Sequence, residues 1–191
     1  MTNYLKECLG TTGHFEQELT QAEHVKKVFL SKGACAGICA EWMCKLSVGK
    51  MAKLQQSLEV SQWLHSDSSE MGDRLTLLTD HFGLKVTGGT KGMLTYDDLK
   101  LSMFLEEKTI SYSAFFMFGV DNTMRTSGHE LLIFTGDRTS YGLVDPNFGV
   151  AIWPHLGGLM VGLKKLLKMG EYGTCYGPYF PFDVIRYQWA S

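Results

Sequence analysis

Cys35 stands two residues after Gly33 in the stretch SKGACAGICAEWMCKL, residues 31–46, where a helical spacing of apolar residues begins. A thiol is a weak nucleophile at its free pKa of about 8.5, and the positive end of a helix dipole is one of the few local means of favouring the thiolate. The unpaired N–H groups of a helix's first turn also offer a donor to a developing oxyanion. Gly33 lets backbone or substrate approach closely. Taken alone, Cys35 equally fits the first position of a buried stripe, because free cysteine is among the most buried residue types.

Two further residues complete the chemistry that a thiol needs. His129 follows Ser127 and Gly128 at the head of HELLIFTG, and of the six histidines it alone opens a strand pattern. A histidine in that place also serves as an ordinary hydrogen-bonded structural residue. Asp145 ends YGLVD and is followed by Pro146, Asn147 and Gly149, which by themselves are turn chemistry. The runs 129–136 and 141–145 are joined by GDRTS, a hairpin loop by composition, so they run antiparallel. The start of one then lies near the end of the other, and His129 approaches Asp145. A nucleophilic thiol requires an imidazole to take its proton and a third group to hold the imidazole in the right tautomer.

The elements that must position these residues fall into two styles. Up to about residue 107 the apolar spacing is helical, starting with Cys35, Ile38, Cys39, Trp42 and Leu46, with Gly49 as a stop. Further helices are predicted over about 50–64, about 69–82 and, from a Thr95–Asp98 capping box, to about 107. A short strand at 84–87 precedes Gly88 and Gly89, and GGTKG, residues 88–92, reads as a mobile connection. The aromatic and β-branched runs 111–120, 129–136, 141–145, 150–153 and 182–189 read as strands, with one helix over 156–168 before the last of them. Helices first and an antiparallel sheet second give an α+β class.

Composition narrows the function. The 191 residues fit one domain, with residues 1–20 read as an N-terminal arm and 21–191 as the folded body. With 45% hydrophobic and 20% charged residues the chain can bury a core, and a net charge of −2 opposes nucleic-acid binding. No run of 18 apolar residues and no apolar N-terminal region occurs, so neither a membrane span nor a cleavable signal peptide is expected. Five cysteines without a regular framework suggest reduced thiols. Cys35, Cys39 and Cys44 lack the paired spacing of a zinc site, and GGTKG lacks the ending of a phosphate-binding loop. The aromatic C-terminal region packs a core and turns, or lines a peptide groove through Tyr176 and Tyr179.

GACAGICAEW, GHELLIF and DPNFG, in that order, resemble the YopT/AvrPphB-type papain-like cysteine proteases, which bacteria inject into host cells. Gly33, Cys35, Ile38 and Trp42 match the spacing around that family's cysteine, and His129 and Asp145 match its histidine and aspartate motifs. The resemblance implies an α+β papain-like fold with N-terminal helices packed on an antiparallel β-sheet. It implies Cys35 as nucleophile, His129 as general base and then acid, Asp145 as orienter, and neither metal nor cofactor. It further implies a specific protein substrate, a secretion chaperone as a second partner, and passage from a bacterial cytoplasm into a host or target cell. Any secretion signal or self-cleavage site is expected in the first 30 or so residues, where none is evident.

One departure stands out. KKVFLSKGAC contains no Asn or Gln to complete an oxyanion hole, which leaves the backbone N–H of Cys35 as donor, with Gln17 and Gln21 as candidates farther back. The same three residues also support glutamine deamidation or acyl transfer to another amine, and the scaffold can act as a binding module without turnover.

Overall fold

A computed structural model of the chain describes residues 2–20, 35, 38, 39, 42, 43, 46, 84–95, 115–121, 128–135, 140–176 and 179–189. Helix α1 (Tyr4–Glu7) is capped by Asn3, whose side chain accepts from the Lys6 N–H. Strands follow at β1 (His14–Glu18), β2 (Leu84–Thr95), β3 (Phe115–Asp121), β4 (Gly128–Thr135), β5 (Tyr141–Asp145) and β6 (Gly149–Trp153). Helices α2 (Leu156–Lys168) and α3 (Gly170–Tyr176) then lead into β7 (Tyr179–Trp189). The seven strands form one sheet in the order β1-β6-β5-β4-β3-β7-β2, and every pairing is antiparallel.

Alternation along the strands divides the core into two layers, because successive side chains point to opposite faces. Phe116, Phe118, Leu131, Ile133, Leu143 and Trp153 bury on one face with α1, α2 and α3. Helix α2 contributes Leu156, Leu159, Met160, Leu163, Leu166 and Leu167, spaced by threes and fours as one apolar stripe. Phe115, Leu132, Phe134, Val144 and Tyr187 bury on the other face, against Ile38, Cys39, Trp42 and Met43. The sheet therefore lies between the segment that carries Cys35 and the helices of the C-terminal half.

Within the stretch 1–20 read as an N-terminal arm, Leu5 is wholly buried, and β1 pairs with β6 from His14↔Ile152 to Glu18↔Gly149. Several expectations are corrected. GGTKG is not a connection but the middle of β2, where Gly89 pairs with Ile185 and Gly92 with Phe182. Pairing along β7 overrides the low strand propensity of glycine. The sheet-rich body supports N-terminal helices less well than expected. Residues 35, 38, 39, 42 and 43 are helical, while the helices read over 50–64 and 69–82 and most of that over 95–107 fall outside the described residues, and Thr95 closes β2.

Gly149 restarts the chain after the Asp145 turn with φ +141, a conformation that other residues rarely adopt. A Cβ there would collide with the Gln17 carbonyl on β1 and reach 2.8 Å from the Phe15 ring. Gly149→Ala is expected to lower stability by roughly 3 kcal/mol in a denaturant titration, combining backbone strain with overpacking. Gly88→Ala, which meets nothing within 4 Å, serves as the control and is expected to stay within about 0.5 kcal/mol of wild type.

Candidate active site

The hairpin of β4 and β5 brings the two sequence-selected polar residues together. Its register runs from Thr135↔Tyr141 to Leu132↔Val144, so Asp145 lies one residue past the last pair, on the face that also carries His129. His129 Nε2 is 3.2 Å from Asp145 Oδ1. Both side chains are buried, Asp145 completely. The turn that follows locks the carboxylate, because the Asn147 backbone N–H donates to Asp145 Oδ1 at 2.9 Å.

Cys35 reaches the same imidazole from the opposite layer. It is helical, 7% exposed, and hydrogen-bonded to His129. Asp145 engages Nε2, which leaves Nδ1 as the ring nitrogen open to the thiol. Four residues further on, the Cys39 thiol donates to the carbonyl of Glu130, the residue after His129, at 3.6 Å. That contact and the burial of Ile38 and Trp42 seat the helical segment on the sheet at the start of β4.

Electrostatics separate the cysteines. Burial by itself lowers the pKa of His129, but hydrogen bonds and charge from Asp145 and Cys35 outweigh it and raise the imidazole to about 10. An imidazole held protonated at neutral pH is the partner that a thiolate needs. Burial pushes the Cys39 thiol well above its ordinary value, and the Cys8 thiol up to about 12. Among the described residues Cys8, Cys35 and Cys39 form no disulfide. Among the described residues no group of three or more His, Cys, Asp or Glu is placed to hold a metal ion.

Neither a protein-family model nor any curated protein matches the chain. Solved structures do. The Pseudomonas avirulence protein AvrPphB superposes with a TM-score of 0.55 at 13% identity, over 96% of this chain and 99% of that one. The chain has a YopT/AvrPphB-type fold. PatoxP, a cysteine protease-like domain of the Photorhabdus asymbiotica toxin PaTox, superposes equally well at 0.55 and 14% identity, over 93% of this chain. The chain spans 56% of the length of that toxin structure.

Other candidates stand apart from this site. Gln17 is exposed on β1, and Gln21 lies outside the described residues, as do the side chains of Tyr176 and Tyr179. Tyr172, which sequence reasoning passed over, lies inside the site: its hydroxyl is 2.9 Å from His129 Nε2 and 2.9 Å from each oxygen of Asp145. Its sequence context, GEYGTCY, has neither periodicity nor a motif, so only the packing of α3 discloses it.

Proposed function

We propose that the chain is a cysteine protease that cleaves a specific protein substrate, with Cys35, His129 and Asp145 as its triad. The observation that carries this reading is His129 itself, buried, hydrogen-bonded to Cys35 and paired with Asp145, within a fold shared with AvrPphB. The Cys35 thiolate attacks the scissile carbonyl carbon, and the C=O electron pair moves to oxygen. The backbone N–H of Cys35 is the donor proposed for this oxyanion. Collapse of the tetrahedral species breaks the C–N bond as His129 Nδ1–H protonates the departing amine, leaving a thioester. His129, now neutral, takes a proton from water as its oxygen adds to the thioester, and the acid leaves while Cys35 is restored. Asp145 keeps the ring oriented throughout. None of these steps calls on a metal or cofactor.

The setting proposed is that of a bacterial effector acting in a host or target cell, in keeping with AvrPphB being an avirulence protein. A secretion chaperone is the second partner proposed. Deamidation of a glutamine side chain uses the same steps with ammonia as leaving group. The test is to incubate a host-cell protein extract with wild type and with Cys35→Ala, then to map new protein N-termini by mass spectrometry. New termini that depend on Cys35 support the protease. A Cys35-dependent gain of about 1 Da without new termini replaces it with deamidation, and identical extracts would leave a binding module.

A further inference from the structure

We infer that Tyr172 is a positioning residue that joins Asp145 in fixing the orientation and tautomer of His129, by a hydroxyl bridge between imidazole and carboxylate. The inference rests on the reading of Cys35 and His129 as the reacting pair.

A phenol has one proton to donate and oxygen lone pairs to accept with. The Tyr172 hydroxyl lies 2.9 Å from both Asp145 oxygens, and a carboxylate only accepts, so the proton goes to Asp145. Its oxygen then accepts from Asn147 Nδ2 at 3.0 Å and from His129 Nε2–H at 2.9 Å. The imidazole is thus nearer to Tyr172 than to Asp145, at 3.2 Å. Two acceptors converge on Nε2, and both require that nitrogen to carry its proton. The proton that moves during the reaction is therefore confined to Nδ1, the side of Cys35. If Nε2 lost its proton instead, the Tyr172 hydroxyl would have to leave Asp145 in order to donate to it.

Burial strengthens the arrangement. Tyr172 is 5% exposed and its ring lies 5.3 Å from that of His129. Phe148 packs edge-on against Tyr172 at 5.7 Å, and Tyr4 against Phe148 at 5.4 Å. These rings cover the Asp145 side of the site and keep water from competing for the carboxylate. Among the described residues the titratable groups that bear on His129 are Asp145 and Cys35, with the Tyr172 hydroxyl against Nε2.

Tyr172→Phe keeps the ring packing and removes the bridge. The experiment follows the rate of Cys35 alkylation by iodoacetamide between pH 4 and 10, by peptide mass spectrometry, on wild type, Tyr172→Phe and His129→Ala, with a thermal melt of each. In wild type the thiolate is expected to react well below the ordinary thiol range. Loss of one acceptor from the imidazolium should move that acid limb of Tyr172→Phe upward by about one pH unit, a roughly tenfold slower reaction on the limb. A limb that coincides with wild type overturns the positioning role, and so does a lowered melting temperature with an unmoved limb, which marks a packing residue. Wild type and His129→Ala with the same profile would instead remove the triad reading and this inference with it. Should Tyr172→Phe not fold, replacing tyrosine throughout by 3-fluorotyrosine keeps the shape while making the hydroxyl a poorer acceptor. The limb is then expected to move the same way, and an unmoved one overturns the inference.

Discussion

His129→Ala is expected to slow alkylation of Cys35 at pH 6 by roughly ten- to a hundredfold, while His14→Ala and His155→Ala leave the rate unchanged. A thiol with a free pKa of about 8.5 is only some 1 part in 300 thiolate at pH 6, whereas one paired with a protonated imidazole is largely ionised. A thiolate of low pKa is also intrinsically less nucleophilic, which reduces the gain several-fold and sets the estimate below 300. His129 is the histidine hydrogen-bonded to Cys35, and His14 and His155 are exposed. Peptide mass spectrometry after a short pulse of iodoacetamide reads the result. The same pulse is expected to spare Cys8 and Cys39 in folded protein, since burial holds both thiols protonated. On turnover the loss should be larger, on the order of 10⁴, because the variant also lacks the acid for the leaving amine and the base for water. Equal losses from all three histidine variants would refute the assignment of His129.

Asp145 carries the second large effect, and its two variants should divide stability from rate. Three donors converge on this buried carboxylate, from His129, Tyr172 and the Asn147 backbone. Asp145→Ala leaves all three without it and is expected to cost about 3–5 kcal/mol of stability. Asp145→Asn keeps an acceptor oxygen for the turn and should cost less, yet it removes the charge that favours the imidazolium and brings an amide N–H toward Nε2. Turnover is then expected to fall by about 10³–10⁴ with the fold retained. The pH dependence of stability supplies a separate check. His129 is raised from its ordinary 6.5 to about 10, so its stabilising contribution is complete below pH 6.5 and lost as pH rises through about 10. The wild-type melting temperature should decline across that interval, and Asp145→Asn should show a flatter profile in differential scanning calorimetry. A steep decline in both would place its origin outside this pair.

Much of this arrangement was legible in the residues themselves. Helix α2 occupies 156–168 and β5 occupies 141–145, the ranges that their apolar spacing and flanking turns predict. The approach of His129 to Asp145 followed from a hairpin whose loop could be read from composition. What escaped was decided by long-range contact. β1 is too short and polar to announce itself, and it is a strand because β6 offers an edge to pair with. Glycines 88, 89 and 92 read as a break, yet at Gly89 a side chain would come within 2.9 Å of the Val184 carbonyl, so close strand approach explains a glycine that local propensity counts against. Tyr172 acquires its role only when α3 folds over the Asp145 turn.

Sequence separation along the sheet is uneven, and the order in which the chain can assemble follows from that. Strands β3, β4, β5 and β6 are consecutive neighbours, a meander closed by short loops, whereas β1 and β2 pair with β6 and β7 far along the chain. Short loops lose little entropy on closing, and distant pairings lose more before their contacts compensate. The meander is therefore the natural folding nucleus, and the outer strands are late additions. His129 and Asp145 both belong to the meander, while Cys35 belongs to a segment that must dock on a finished face. The imidazole and its carboxylate are expected to meet early, and the thiol to join them only once the molecule is nearly complete.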